Sequence, residues 1–403
     1  MNVSIANEEV CGTCGEAALE PLWNLPRLPL TECFGQYDPG FPAYDQQLMM
    51  CGVCTHTQLL SQLPPNVLYT PLEYYYRSGK AMGTPKRVRS FVDFTMSQFD
   101  TAKKLSVVDI GGNDQCLIAG FTGCAKNLAL IDPIRVSDDG TEVDGVQIYG
   151  RFVEEMDLSV DLSDRPDLII CAHTLEHIPR PHEVLTKLFS ECPAGCVLIF
   201  EVPCRDSMIA NGRLDGVFHQ HLHYFSVHTF DNLVRRSGGT VVDLKYNDQP
   251  TLGGSFMAAC RPIHLRTTDK IQDNSAFSRK VMGHEFRHRF TKTRKRFEEE
   301  MMSLRSKITN SERPLYGYGA SLMLPVTMYH LGLPSGCLAE VLDDDLEKSG
   351  WQYKNLNLKI IPPLDAATLQ GSDVLITSVE NREAIAQKLS RLNPAAVYTP
   401  TLL

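Results

Sequence analysis

The sequence predicts an α/β protein with a small cysteine module at its N-terminal end. Three observations lead there. From Leu105 onward, apolar β-branched runs alternate with helical segments, the texture of a parallel sheet with crossover helices. A strand, glycine turn, helix, strand, acid pattern occurs once after Leu105 and again after Pro314. Two Cys-x-x-Cys pairs precede both units. At 403 residues, and with roughly 100–200 residues per domain, two or three domains are expected. The texture divides the chain at residues 1–85, 86–262 and 263–403.

Composition narrows the class. Hydrophobic residues at 43% and charged residues at 22% are globular proportions and exclude wholesale disorder. A net charge of -9 argues against a polyanion-binding surface, so no nucleic-acid partner is expected. No apolar run approaches the ~20 residues that cross a bilayer, and the polar, acidic opening has no apolar core of a leader. A cytoplasmic chain with no membrane partner is expected. Its thirteen cysteines should then be mostly reduced.

Taken in order, the first element is the cysteine module. Cys11 and Cys14 pair, as do Cys51 and Cys54, with 36 residues between the pairs. Two such knuckles offer four thiolates to one tetrahedral ion, which suits structural zinc and leaves no open position for chemistry. Buried thiols are the alternative; redox chemistry is disfavoured because no βαβ pattern surrounds either pair. The intervening segment, with Pro21, Pro26, Pro29, Pro39 and Pro42, holds little that forms a core unaided, so a metal staple is what it needs. Tyr74, Tyr75 and Tyr76 follow, then a helix over Arg87–Gln98.

The strand Leu105–Ile110 runs into Gly111-Gly112-Asn113-Asp114. Leu128–Ile131 ends at Asp132, Pro166–Ala172 ends at His173 and Thr174, and Gly195–Val202 carries Glu201. A helix begins near Pro181. Ligands of such a sheet lie beyond the carboxyl ends of its strands. The glycines permit close approach to backbone, and Asp132 can accept both hydroxyls of a ribose. The third glycine of a dinucleotide loop is absent, and the acidic loop repels a phosphate. Together these point to S-adenosylmethionine, with an unrelated α/β domain as the alternative. His219, His221 and His223 share one face if extended, which leaves a metal site, structural histidines and catalysis all open.

The last third begins with a helical, highly charged Lys270–Asn310. Its basic stretch, Arg287–Arg296, reads as a solvated helix face, with a phosphate contact as the alternative. Pro314 to Ala320, with Gly317 and Gly319, leads through a helix to Ala339–Asp345, and Val374–Thr377 is a further strand. One Gly-x-Gly is explained equally well by helix-on-strand packing or by a nucleotide.

These residues carry a family resemblance. The chain resembles the three-part sugar C-methyltransferases, which act on nucleotide-linked 4-keto-deoxysugars, and the resemblance spans nearly its whole length. The cysteine pairs match the family's zinc module. VVDIGGND (Val107–Asp114) resembles its S-adenosylmethionine loop and HTLEHIP (His173–Pro179) the segment after its fourth core strand. FEVP from Phe200, FHQHLHYFS from Phe218, LGGS from Leu252 and YGYGA from Tyr316 follow in the family's order.

The resemblance implies a class I methyltransferase core, a C-terminal Rossmann-like domain and a nucleotide-sugar substrate linked through thymidine or guanosine diphosphate. It implies zinc at Cys11, Cys14, Cys51 and Cys54. S-adenosylmethionine falls at Gly111, Gly112, Asn113, Asp114, Asp132, His173 and Thr174. His221 falls on the family's base, Gln220 on the residue beside it, His177 on a second histidine near the reacting centre, and Tyr75 on a tyrosine lining the sugar pocket. The implied reaction is proton removal from C-3 beside the C-4 ketone, enolate formation and methyl transfer.

Several positions depart from the family pattern. Phe218 replaces a tyrosine, Gln220 a glutamate, Gln115 a glycine, Leu252 a histidine and Met323 a lysine. The expectation is therefore a C-methyltransferase with a repositioned donor. Transfer to oxygen on a sugar or other small molecule, and a non-catalytic binding protein, are the alternatives.

Overall fold

The computed structural model describes residues 5–69, 79, 84–100, 104–247, 253–263, 276–334 and 336–400. The chain forms two compact units. One comprises Met1–Trp23, Gln47–Met208 and Gln220–Arg287; the other comprises Asn24–Gln46, Ile209–His219 and His288–Leu403.

The N-terminal region contributes β1 (Leu19–Pro29), β2 (Ala43–Cys51) and β3 (Thr57–Leu59). β1 runs eleven residues through Pro21, Pro26 and Pro29, in the segment expected to hold little that forms a core unaided. Trp23, Leu25 and Leu28 are buried there. Apolar side chains on alternate residues, Trp23 and Leu25 among them, outweigh the missing N–H groups of proline.

The first unit is built on an eight-stranded sheet. Helix α1 (Thr84–Met96) leads into β4 (Leu105–Ile110), whose six residues are all buried. Leu105, Val107, Val108 and Ile110 supply the apolar surface that a strand covered on both faces requires, with Ser106 and Asp109 buried among them. The sheet continues with β5 (Ala125–Ile131), β6 (Glu142–Val143), β7 (Val146–Tyr149) and β8 (Leu168–Ala172). After helix α2 (Pro181–Glu191) comes β9 (Val197–Pro203). A short β10 (His223–Tyr224) pairs antiparallel with β3 instead of joining the large sheet. Helix α3 (Val227–Arg236), opened by a Ser226–Thr229 capping box, precedes β11 (Gly239–Asn247) and β12 (Ser255–Pro262).

The order across the sheet is β11-β12-β9-β8-β4-β5-β7-β6. The strands from β9 to β7 are parallel, while β12 runs antiparallel to β9 and β11 antiparallel to β12. Alternate residues feed opposite cores. Val108, Ile169 and Leu198 share one with Leu185 of α2 and Phe230 of α3; Val107, Ile170 and Ile199 share the other with Phe91 and Phe94 of α1. The chain leaves β4 toward β5 on one side and later returns to β8 on the other. That reversal opens a crevice beyond the carboxyl ends of β4 and β8.

Helix α4 (Ala276–Thr309) fulfils the helical expectation within the described residues, and 270–275 lie outside them. Phe286, Phe290, Phe297, Met301, Leu304 and Ile308 form its buried stripe. Ion pairs Arg294–Glu298, Lys295–Glu299 and Arg296–Glu300, all four residues apart, occupy the solvated side.

The second unit carries a five-stranded parallel sheet. Its strands are β13 (Leu315–Tyr318), β14 (Val341–Leu342), β15 (Ile360–Ile361), β16 (Asp373–Ile376) and β17 (Ala396–Tyr398), in the order β15-β14-β13-β16-β17. Helices α5 (Leu324–Leu331) and α6 (Arg382–Leu392) belong to it. Gly319 has φ +97°, and a Cβ there would stand 2.4 Å from Ser378 Cβ. The next amide, Ala320 N–H, donates to Asp343 Oδ2 at 2.6 Å, and Lys348 Nζ reaches the same oxygen at 3.3 Å. This glycine turn is thus engaged by a carboxylate of its own unit.

Candidate active site and thiolate cluster

Each cysteine pair forms the same tight knuckle. Gly15 N–H donates to Cys11 O at 2.7 Å, and Thr55 N–H donates to Cys51 O at 3.0 Å. The residue after each second cysteine sits at positive φ, +74° for Gly15 and +63° for Thr55. The four buried sulfurs face one another, with Cys11 to Cys54 at 3.5 Å and Cys14 to Cys51 at 3.6 Å. Thiolates around a tetrahedral zinc, at about 2.3 Å each, stand about 3.8 Å apart. The donor set therefore fits a zinc ion held by Cys11, Cys14, Cys51 and Cys54, as a closed shell with a structural role.

A buried histidine pair lies next to it. His56 Nε2 and His223 Nδ1 are 3.1 Å apart, and His223 Nε2 meets the Pro179 carbonyl at 3.3 Å. Burial holds both rings below the usual histidine range, His223 at about 4. His219 donates from Nε2 to Leu28 O at 3.0 Å. His221 instead faces Glu176. The three histidines at alternate positions thus take three different surroundings, because only His223 lies in a strand. The shared-face reading, and the metal site drawn from it, do not survive.

The crevice at the ends of β4 and β8 holds a cavity of 610 Å³, within the range of small-molecule sites. Gly111, Gly112, Asn113, Asp132, His173 and Thr174 line it. Gly111 has φ +75°, and a Cβ there would fall 2.1 Å from Thr174 Oγ1. Asp132 accepts from Asn113 N–H at 2.9 Å and from Ile134 N–H at 3.0 Å, which fixes its carboxylate at the end of β5. Asp114 stands apart from this wall and accepts from Gly79 N–H at 2.8 Å. Gln115, where the family pattern has glycine, adopts φ +64°. The bare glycine backbone, the space above it and an oriented carboxylate at the next strand end fit an adenosyl ligand of S-adenosylmethionine type.

Other parts of the lining are acid–base in character. His173 holds a left-handed φ of +52°, a conformation that costs energy in a non-glycine residue and clusters at functional sites. Its Nδ1 lies 3.5 Å from Glu176 Oε1 and its Nε2 3.5 Å from Glu201 Oε1. Burial opposes its charge, but the two carboxylates overcome that and push it to about 9. Glu201 is driven the other way, to about 2, against its own burial, by His173 and by Ser255. Asn247 and Ser255 each donate to its Oε1 at 2.7 Å.

His177 also lines the cavity, and its Nδ1 is 3.0 Å from the Tyr69 hydroxyl, another wall residue. His221 meets the His177 ring edge-on, with centroids 4.9 Å apart. Burial lowers both imidazoles below the usual range, so both are neutral near pH 7. Gln220 is buried and its backbone carbonyl faces His177. Tyr75 lies outside the described residues. Glu176, fully buried, approaches His177 Nε2 and His221 Nε2 at 4.0 Å each. Reading the sequence passed over Glu176 and Tyr69. The former is flanked by the histidines that mark the segment; the latter carries no local signal beyond its place before a tyrosine cluster.

Residues 83–244 match the model of a family described as a methyltransferase domain. The sheet order above is that of the class I methyltransferase fold. Among curated proteins the chain is similar to the C-methyltransferase NovU of Streptomyces niveus, 24% identical over 260 residues, covering 62% of this chain and 60% of that protein. The match thus spans under two thirds of the relative's length. Solved structures are more distant. The N-methyltransferase NodS of Bradyrhizobium japonicum, with bound S-adenosyl-L-homocysteine, gives TM-score 0.35 at 13% identity over 46% of this chain and 91% of that one. A Haloferax volcanii methyltransferase complex with its Trm112 activator gives 0.37 at 12%, over 46% and 95%.

Proposed function

We propose that the protein is an S-adenosylmethionine-dependent C-methyltransferase acting on a nucleotide-linked 4-keto-6-deoxysugar, at C-3, with His221 as the base. The observation carrying this reading is the edge-on contact of buried His221 with His177, whose ring lines a cavity that the bare glycine backbone also lines. The motif order shared with sugar C-methyltransferases and the similarity to NovU support it. Gly111, Gly112, Asn113, Asp132 and Thr174 would hold S-adenosylmethionine, which when bound supplies an electrophilic methyl group. Zinc at the four cysteines would brace the N-terminal knuckles.

The residues act as follows. His221 takes the proton from C-3, whose acidity the adjacent ketone provides. His177, its Nδ1 held by the Tyr69 hydroxyl, presents its other nitrogen toward the base and Glu176. Phe218 leaves no phenol at the family's donor position, so Tyr69 on the cavity wall is the replacement donor for the enolate oxygen.

The test is mass spectrometry of thymidine- and guanosine-diphosphate 4-keto-6-deoxysugars incubated with S-adenosylmethionine in heavy water. The expected result is gain of one methyl group, with a loss of rate of about 10²–10⁴-fold in His221→Asn. Full activity in His221→Asn would overturn the base. Methylation of a reduced sugar lacking the ketone would overturn carbon as the acceptor.

A further inference from the structure

Glu176 presents a problem that the proposed reaction does not resolve. The residue is 0% exposed, and neither carboxylate oxygen has a hydrogen bond among the described residues. Burying a carboxylate without a hydrogen bond is costly, and the His173 imidazole at 3.5 Å offsets only part of that. Its near neighbours are three imidazoles: His173 Nδ1 at 3.5 Å, and His177 Nε2 and His221 Nε2 at 4.0 Å each. His173 is also drawn toward Glu201, on its other nitrogen. The donor atoms of Glu176, His177 and His221 all lie within 4.8 Å of one another.

Two histidines and one carboxylate are the protein ligands of many open metal sites. Donors around a tetrahedral ion, at about 2.0–2.1 Å each, stand about 3.4 Å apart. Each pair here needs to close by an ångström or so, within the reach of small side-chain rotations. His177 already has the companion that metal-binding histidines carry. Its Nδ1 rests against the Tyr69 hydroxyl, which orients the ring and leaves Nε2 facing Glu176.

We propose that Glu176, His177 and His221 form a second metal site, separate from the four-thiolate cluster and suited to a borderline divalent cation such as Zn²⁺, whose filling withdraws both imidazoles from proton transfer. The binding half stands on geometry alone. The inhibitory half rests on the base assigned above, since a lone pair given to a cation cannot accept a proton. The enzyme would then work with one zinc and be silenced by a second.

The experiment titrates Co²⁺ into full-length protein whose thiolate cluster is already filled, following absorbance and heat. The expected result is one further equivalent, with ligand-field bands lacking the sulfur-to-metal charge transfer of the cluster. Glu176→Gln should weaken that equivalent more than tenfold and Tyr69→Phe by about 10–100-fold, both keeping the cluster metal and the far-ultraviolet spectrum of the parent. If Glu176→Gln does not fold, Tyr69→Phe, which keeps all three donors, decides. Absence of a further equivalent, or equal affinity in the folded variants, overturns the site. Zn²⁺ should suppress solvent-deuterium uptake by the keto sugar over the concentration range in which the second equivalent binds. Binding without suppression overturns the inhibitory half and the base together, while the metal site stands.

Discussion

Asp109 illustrates how far a single buried carboxyl can be moved from its ordinary behaviour. It is 1% exposed at the end of β4, and burial, with Asp132 and Asp114 nearby, raises it to about 8. The folded protein therefore keeps a proton that the unfolded chain loses near pH 4. An acid raised in this way contributes most below its unfolded value, and the contribution drains as pH climbs toward 8. Asp109→Asn mimics the protonated acid and removes the titration. The expectation is a flatter stability profile, with the variant more stable than the parent by about 1 kcal/mol or more at about pH 8 and similar at about pH 3.5. Thermal unfolding at both values checks it. An equal loss at both would show that Asn fails as an isostere and that no titration is involved. At this scale the sequence was partly legible. The glycine loop and the acid after β5 stood out because backbone approach and ribose recognition demand those residue types. Glu176 and Asp109 did not, since their significance comes from what surrounds them.

Elements read well wherever periodicity had no competitor. The buried strands β4, β8 and β9 and the helices α1, α2 and α4 fall within a few residues of their expected bounds. The long apolar or one-sided runs that form them leave little alternative. β1 was missed because proline dominated the reading while the alternation of its apolar side chains went unweighed. The histidine segment was left open for the opposite reason. Its alternation puts three rings on one face only if the segment is extended, and only His223–Tyr224 lie in a strand. The cysteine knuckles belong to this scale too, and their test is metal content. Full-length protein is expected to carry zinc that a strong chelator removes with a large fall in melting temperature, and Cys51→Ser should carry less. Unchanged stability after complete removal would make the four thiols an ordinary buried cluster.

For the molecule as a whole, charge makes the clearest statement. With a net charge of -9, and the basic side of α4 answered by its own glutamates, the protein should not be retained by immobilised RNA even at low salt. Retention that falls steeply as salt rises would contradict this and reopen a nucleic-acid substrate. No described helix is long and apolar enough to cross a membrane.

The sequence by itself determined the α/β class, the position of the glycine loop and the four-cysteine set, because backbone sterics, apolar periodicity and ligand spacing are local properties. Only the tertiary structure decided which histidines meet. His177 and His221 are 44 residues apart in the chain and touch because β8 and the segment before β10 converge on one crevice. His219 and His223, each two residues from His221, are carried elsewhere. The energetics of a buried carboxylate depend on every group within a few ångströms, and that neighbourhood exists only once the sheet has closed around it.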